Sequence, residues 1–122
     1  MLGYVTLGTN DLARAARFYD AIAAELGTGR VMDNDQFIAW GPKDGGPGLG
    51  VTRPYDGKRA TPGNGVMVAL LAKDRAQVDR LHALALRMGG TDEGAPGERF
   101  TGFYAAYFRD LDGNKLNAFV MG

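Results

Sequence analysis

The side chains that could carry chemistry are few, and their types exclude several kinds of catalytic site. The chain has 122 residues, with no cysteine and a single histidine, His82. Serine is absent as well. These counts exclude a thiolate nucleophile, a disulfide, a zinc–thiolate centre and a serine–histidine–aspartate triad. They also exclude any metal site that needs two histidines from one chain.

Charge and composition are those of an ordinary globular domain. Lysine and arginine number 14, aspartate and glutamate also number 14, and 45% of the residues are hydrophobic. A zero net charge argues against a nucleic-acid partner, because such domains carry a basic excess. No apolar run is long enough to cross a membrane, and the N-terminal residues do not resemble a signal peptide. We therefore expect a cytoplasmic protein with no membrane partner.

The elements that must position the remaining polar and aromatic side chains are repeated along the chain. An alternating strand pattern at residues 4–7 precedes Asp11 and an amphipathic helix, and the same pattern at residues 67–70 precedes Asp74 and another helix. The offsets 67 − 4 and 74 − 11 both equal 63. The first helix is predicted to begin after Thr9 or Asn10, and the second is capped by Asp74 with Gln77 three residues on. Glycines end both helices, at Gly27 and at residues 89–90.

Short strands are predicted after each helix. Alternation and turn residues predict them at 30–32, 37–40 and 49–53 in the first half, and near Thr91, at 103–109 and at 115–121 in the second half. The last two strands flank the sequence DLDGN at residues 110–114, which is typical of a hairpin turn. A stretch rich in glycine and proline, residues 41–65, joins the halves. Each half therefore reads as a strand, a helix and further strands.

Three segments carry a resemblance to a known superfamily. Residues 4–19 open with YVTL and continue to NDLARAARFY, residues 66–70 read VMVAL, and residues 103–116 read FYAAYFRDLDGNKL. Together they resemble the glyoxalase/bleomycin-resistance/dioxygenase superfamily, also called the vicinal oxygen chelate proteins. One departure is Leu111, where the family usually has proline.

The resemblance implies an α+β fold of two paired βαβββ modules, whose mostly antiparallel, curled sheets surround a cleft. The modules would span about residues 1–55 and about 65–122, with a linker at about 56–64. The resemblance also implies a homodimer. Enzymes of this family hold a divalent metal ion through His and Glu side chains on four strands.

The positions of those metal ligands are occupied here by unsuitable side chains. The resemblance places the first ligand at Tyr4, the next at Met67 and the closing glutamate at Asn117, and residues 48–53 offer no fourth. A hard divalent ion prefers imidazole and carboxylate over phenol, thioether and amide. We therefore expect no metal ion and no cofactor.

Strand alternation predicts which side chains would line the cleft. Tyr4, Thr6, Met67 and Asn117 fall on the faces away from the helices, and Tyr107 falls opposite Asn117 if the last hairpin is in register. Trp40, Phe37 and Arg53 are expected at its rim or floor, with Arg53 as a contact for an anionic group. The predicted ligand-binding residues are Tyr4, Thr6, Trp40, Arg53, Met67, Tyr107 and Asn117.

Such a site favours a small, partly apolar molecule held by stacking and a few hydrogen bonds. The first hypothesis is a metal-independent small-molecule binding protein. The alternative is a glyoxalase I-like lyase or isomerase acting on a small oxygenated substrate. An interaction role of the dimer alone, or a cleft simply filled by its own side chains, also fits the pattern. His82 is interpreted as a residue packed at the border of the second helix, and Lys58 and Arg59 as solvated loop residues.

Overall fold

The computed structural model describes all 122 residues, and the chain divides into two compact units, Met1–Pro62 and Gly63–Gly122. Each unit contains one helix and four strands. The elements of the first unit are β1 (Tyr4–Gly8), α1 (Leu12–Glu25), β2 (Gly29–Asp33), β3 (Phe37–Gly41) and β4 (Gly48–Thr52). Those of the second are β5 (Val68–Leu71), α2 (Arg75–Arg87), β6 (Thr91–Phe100), β7 (Phe103–Arg109) and β8 (Lys115–Met121).

Both units have the same sheet topology. The strand orders are β1-β4-β3-β2 and β5-β8-β7-β6. β1 runs parallel to β4 and β5 runs parallel to β8, whereas the other neighbours are antiparallel. Each unit is therefore a βαβββ module with a mixed sheet, and the predicted α+β fold is confirmed.

The helices begin at equivalent residues. The N-cap of α1 is Asp11, one residue beyond the two predicted positions, and its carboxylate accepts the backbone N–H of Arg14 at 3.0 Å. Asp74 caps α2 as predicted and accepts the N–H of Gln77 at 2.8 Å. The Gln77 side chain in turn accepts the N–H of Lys73 at 2.9 Å. Carboxylate caps satisfy N–H groups that a helix leaves unpaired at its start.

Glycine ends each helix in the same manner. Gly27 and Gly89 have φ values of +77° and +100°, a conformation that side chains with a Cβ rarely adopt. In each case the next residue closes the last turn: Thr28 donates to the carbonyl of Ala23 at 2.9 Å, and Gly90 donates to that of Ala85 at 2.8 Å. This six-to-one bond is the Schellman motif.

Each helix covers one face of the sheet in its own unit. α1 packs on β2, β3 and β4, and α2 packs on β6, β7 and β8. The side chains between helix and sheet are the most buried apolar groups, among them Phe18, Val51, Leu81, Phe108 and Leu116. The opposite face of each sheet is called here the helix-free face. Neither helix is long and apolar enough to cross a membrane.

Candidate functional site

The helix-free face of the second sheet carries a row of four residues, one from each strand. Asn117 on β8 pairs with Ala69 on β5 at one side and with Tyr107 on β7 at the other, and Tyr107 pairs with Gly94 on β6. Strand alternation puts all four on the face away from α2. The hairpin register therefore brings Tyr107 opposite Asn117, as the sequence predicted.

Asn117 is the buried polar group of this row. The residue is 2% exposed, and its side-chain oxygen Oδ1 has no hydrogen-bond partner within the chain. An unpaired buried acceptor costs about 1–3 kcal/mol, so folded proteins contain few of them. Beside it, Ala69 is exposed and ends in a methyl group. The short side chain on the neighbouring strand thus leaves open space above the sheet on that side of Asn117.

The ring of Tyr107 is flanked by two cations. The Arg99 guanidinium carbon lies 5.2 Å from the ring centroid, and the Lys115 ammonium nitrogen lies 5.6 Å from it. Arg99 is held in place because it donates to the backbone carbonyls of Gly97 at 2.9 Å and Ala95 at 2.6 Å. This part of the face is therefore aromatic and positively charged.

An aromatic ladder occupies the other end of the same face. Phe103 stacks on Phe100 with ring centroids 4.8 Å apart and on Phe119 with centroids 5.6 Å apart. Leu71 pairs with Phe119, and Met121 pairs with Phe103. Leu71 and Met121 are each more than half exposed. The result is a contiguous apolar surface next to the Asn117 row.

Met67 stands one residue before β5 and is 42% exposed. Alternation places it on the same face as Ala69, hence on the side of Asn117. Strand alternation therefore assigns Met67 to the face that carries Tyr107 and Asn117.

On the first sheet, Tyr4 and Thr6 lie on the helix-free face of β1, and both are exposed. The ring of Phe37 meets that of Tyr4 edge to face, with centroids 6.3 Å apart. Phe37 also lies over Gly50, where a Cβ would overlap its ring. The absence of a Cβ at Gly50 therefore leaves the space that the Phe37 ring occupies.

Trp40 does not share this face, which corrects its expected position at the rim or floor of a cleft. It is 4% exposed, and its indole N–H donates to Asp20 of α1 at 2.8 Å. Its ring lies 5.5 Å from that of Tyr19. Arg30 also donates to Asp20, and this guanidinium is the main reason that the pKa of the Asp20 carboxyl is lowered. Trp40 thus anchors α1 to its sheet.

Arg53 is also separate from Tyr4 and Thr6. It follows β4 directly and lines a depression together with Leu12 and Ala16 of α1. A second depression on its other side is formed by the loop that follows β4. Its expected position at the rim or floor of the cleft is corrected, because alternation along β4 turns Arg53 to the side of the helix.

His82 is 7% exposed on α2, and its Nε2 lies 3.0 Å from Oδ1 of Asp92 on β6. The pKa of Asp92 is lowered, first by the backbone N–H of Gly94 and then by His82. The pair joins the helix to the edge strand and lies on the helix side of the sheet, in agreement with a packing role.

The metal ion of the family does not fit this chain. No group of three or more His, Cys, Asp or Glu side chains could hold one. The side chains at the family's ligand positions are the exposed phenol of Tyr4, the thioether of Met67 and the buried amide of Asn117. Phenol, thioether and amide lack the charge and hardness that a divalent ion requires.

Arg99 and Lys115 were not among the residues predicted for this surface. Arg99 lies in an irregular part of β6, whose register with β7 shifts between Asp92 and Gly94, between Gly94 and Gly97, and between Glu98 and Phe100. Glycines spaced in this way in a strand are the one signal of such bulges that the sequence offers.

Comparison with known proteins identifies the family of this chain. Residues 1–118 match the family described as the Glyoxalase/Bleomycin resistance protein/Dioxygenase superfamily. No curated protein sequence matches the chain. A glyoxalase/bleomycin resistance protein from Albidiferax ferrireducens is 38% identical, with a TM-score of 0.90 over 98% of this chain and 97% of that one.

Two further structures share the fold. A glyoxalase-related enzyme from Fulvimarina pelagi is 23% identical, with a TM-score of 0.78 over 98% of this chain and 86% of that one. A glyoxalase/bleomycin resistance protein/dioxygenase family enzyme from Burkholderia phytofirmans is 19% identical, with a TM-score of 0.78 over 96% and 95% of the two chains. The duplicated βαβββ modules, the match over residues 1–118 and the 38% identity agree, and the chain belongs to the glyoxalase/bleomycin resistance protein/dioxygenase superfamily.

Proposed function

We propose that this protein binds a small molecule without a metal ion, on the helix-free face of its second sheet. The observation that carries the proposal is Asn117, whose buried amide oxygen has no hydrogen-bond partner within the chain. A ligand with an N–H or O–H group would supply that partner and remove the cost of leaving the oxygen unpaired. The binding residues on this face are Met67, Tyr107 and Asn117.

The surroundings of Asn117 define the chemical class of the ligand. The ring of Tyr107, with Arg99 and Lys115 beside it, suits a flat group that is electron-rich or carries negative charge. Phe119 and Ala69 offer apolar contact on the neighbouring positions. We expect a small, partly apolar molecule that carries a hydroxyl or amide donor.

Tyr4 and Thr6 of the first sheet are proposed as a second, separate binding surface. Both are exposed beside Phe37, so they offer an aromatic surface with a phenol and a hydroxyl for hydrogen bonds. Their contribution is tested separately from that of Asn117, with Tyr4→Ala and Thr6→Val. Either substitution should weaken binding without changing the melting temperature by more than a few degrees, because surface substitutions usually cost less than about 0.5 kcal/mol.

We also propose that the chain forms a homodimer, with the second copy covering the exposed apolar end of the helix-free face. Leu71, Phe100 and Met121 are 68%, 61% and 60% exposed. Contiguous apolar surface of this kind marks interaction sites. Light scattering after size exclusion should give twice the mass of one chain, and Leu71→Glu with Phe100→Glu should give the mass of one. A wild-type protein of single mass at high concentration would contradict the dimer.

The experiment for the binding site is a screen of small hydroxyl- and amide-bearing compounds by ligand-induced shifts of the amide resonances. Compounds that bind should shift the Asn117 side-chain resonances. Asn117→Ala should lower their affinity by about tenfold, which corresponds to the loss of one hydrogen bond to a buried group. Asn64→Ala is the matched control, because Asn64 is an exposed amide in the loop before β5. Binding that Asn117→Ala leaves unchanged would overturn the proposal.

The alternative, a lyase or isomerase, has its own test. Purified protein with added nickel, zinc or manganese would be assayed with the glutathione adduct of methylglyoxal. Turnover that depends on the added metal would contradict the proposed metal-independent binding.

A further inference from the structure

The loop that follows β4 forms an open depression with a volume of about 640 Å³, within the first unit. Its residues run from Arg53 to Ala60, and they lie outside the Asn117 row and its proposed function. Small-molecule sites usually measure about 300–1,000 Å³, so the depression has the size for one.

Three cations line this depression, and no carboxylate does. They are Arg53, Lys58 and Arg59. None of the three takes part in an ion pair, whereas Arg30, Arg75 and Arg109 all do. In a chain of zero net charge, this concentration of unpaired positive charge in one concave surface attracts anions.

The one acidic residue of the loop is turned to the backbone. Asp56 accepts the N–H of Lys58 at 2.9 Å, and Gly57 closes the turn by donating to the carbonyl of Pro54 at 3.1 Å. Gly57 has a φ of +73°, which a glycine adopts without strain. The turn thus directs the following residues, Lys58 and Arg59, to the depression.

Both ends of the loop are fixed to the rest of the unit. At one end the N–H of Arg53 donates to the carbonyl of Gln36 at 3.1 Å, and the Gln36 side chain donates to the carbonyl of Arg53 at 2.7 Å. At the other end, the side-chain amide of Asn10 bonds both backbone groups of Ala60, at 2.8 and 3.2 Å. A loop held at both ends loses less conformational entropy when it binds a ligand.

We propose that this depression binds the phosphate group of a small organic phosphate, with Arg53, Lys58 and Arg59 as its contacts. A phosphate monoester carries a charge of about −1.5 to −2 at neutral pH and three acceptor oxygens, which suits three cations better than a carboxylate does. Arginine also matches the geometry of phosphate oxygens in a bidentate manner. The exposed ring of Tyr55, which lines the same depression, contacts the organic part.

Calorimetric titration of the whole chain with phenyl phosphate, inorganic phosphate and benzoate tests the proposal. Phenyl phosphate should bind more tightly than benzoate, which presents the same ring with a single charge. Its affinity should fall as salt is raised, because salt screens exposed charges. Arg53→Ala with Arg59→Ala should weaken phenyl phosphate by at least about tenfold, since charge-assisted bonds are the strong ones.

Three further variants separate the contributions. Lys43→Ala removes an exposed cation of the same unit that does not line the depression, so it should leave the affinity unchanged. Tyr55→Ala should weaken phenyl phosphate but not inorganic phosphate. The double variant Lys58→Ala with Arg59→Ala changes only the exposed loop. It replaces the variant Arg53→Ala with Arg59→Ala if the melting temperature shows that the latter is unfolded.

The proposal is overturned by any of three results. The first is an equal affinity for benzoate and phenyl phosphate. The second is a loss of affinity for phenyl phosphate in Lys43→Ala that equals the loss in the loop variants. The third is no heat of binding for phenyl phosphate at millimolar concentration in low salt.

Discussion

Asn117 lies directly opposite Tyr107 in the antiparallel pairing of β7 with β8, and the two side chains have contrasting surroundings. The Tyr107 ring has a guanidinium and an ammonium group within 5.6 Å of its centroid. The amide oxygen of Asn117 is buried without a hydrogen-bond partner. An unpaired buried oxygen lowers the stability of a folded chain. Such destabilising groups are found at sites that bind ligands, where function requires them.

Replacing Asn117 by leucine should therefore stabilise the protein. Leucine branches at the same carbon as asparagine and brings no unpaired acceptor, so the free energy of unfolding should rise by about 1 kcal/mol. Urea denaturation measures this value. Ligands found in the screen should no longer bind to the variant.

Asn114 provides the contrast, since it is also 2% exposed but its amide donates to Asp110 at 3.0 Å. Asn114→Leu should lower the free energy of unfolding by about 1–3 kcal/mol, because it leaves buried partners unpaired. Destabilisation by Asn117→Leu as large as that of Asn114→Leu would show that the Asn117 amide is a structural group.

Gly50 controls the helix-free face of the first sheet. A Cβ at this position would overlap the ring of Phe37. Gly50→Ala should force the ring away from the sheet and lower the free energy of unfolding by about 1–3 kcal/mol, as overpacking does. The methyl resonance of Thr6, which lies beside the ring, should shift at the same time.

The matched control is Gly29→Ala, because Gly29 is also a strand glycine and a Cβ there meets nothing within 4 Å. Its effect should stay within about 0.5 kcal/mol. If Phe37→Ala is combined with Gly50→Ala, the cost of the added methyl should largely disappear. Additive costs in that double variant would contradict the steric account.

Asp20 gives the first unit a defined dependence on pH. Arg30 is the main cause of the lowered pKa of its carboxyl, and the indole of Trp40 contributes as well. Since the folded pKa lies below the ordinary value of 3.8, the stabilisation is complete above that pH. It is lost as the pH falls through the lowered pKa.

Urea denaturation at a series of acidic pH values measures this dependence. Asp20→Asn should lower stability at neutral pH and should flatten the acid part of the profile. The effect should be small, since 45% of the Asp20 side chain is exposed and solvent screens the pair. Trp40→Phe removes only the indole donor, so most of the acid dependence should remain. Equal profiles for wild type and Asp20→Asn would contradict this assignment.

Local signals made a large part of the fold predictable from the sequence. Asp74, Gln77 and the glycines that end the helices act within a few residues of their own position, so their effect needs no knowledge of the tertiary structure. The hairpin of β7 and β8 is fixed by the turn sequence between its strands, and its register then places Asn117. Asp11 and Asp74, which are equivalent in the predicted repeat, are the N-caps of the two helices.

The surroundings of the site depended on contacts between distant residues. Alternation assigns Phe37 and Trp40 to opposite faces but does not tell which of the two faces the helix, and here Asp20 and Tyr19 hold Trp40. The bulges of β6 arise from its pairing with β7, so the approach of Arg99 to Tyr107 was hidden. Lys58 and Arg59 are exposed, as predicted, but nothing in the sequence shows that both line one depression with Arg53.

Leu111 links the family resemblance to stability. It occupies the second position of the turn 110–113, whose ends are joined by the N–H of Gly113 donating to the carbonyl of Asp110 at 3.0 Å. Proline is favoured at this position because its ring fixes φ near −65°, and the backbone N–H of Leu111 makes no hydrogen bond that proline would remove. The leucine side chain, however, reaches the end of α2 beside Gly89.

Leu111→Ala removes that apolar contact alone, and Leu111→Pro removes part of it while stiffening the unfolded chain. The proline variant should therefore exceed the alanine variant in free energy of unfolding by about 0.4–1 kcal/mol. Urea denaturation of the two variants side by side measures the difference. A proline variant less stable than the alanine variant would mean that residue 111 has a backbone conformation that proline does not allow, and that the turn follows a different course from the one usual in the family.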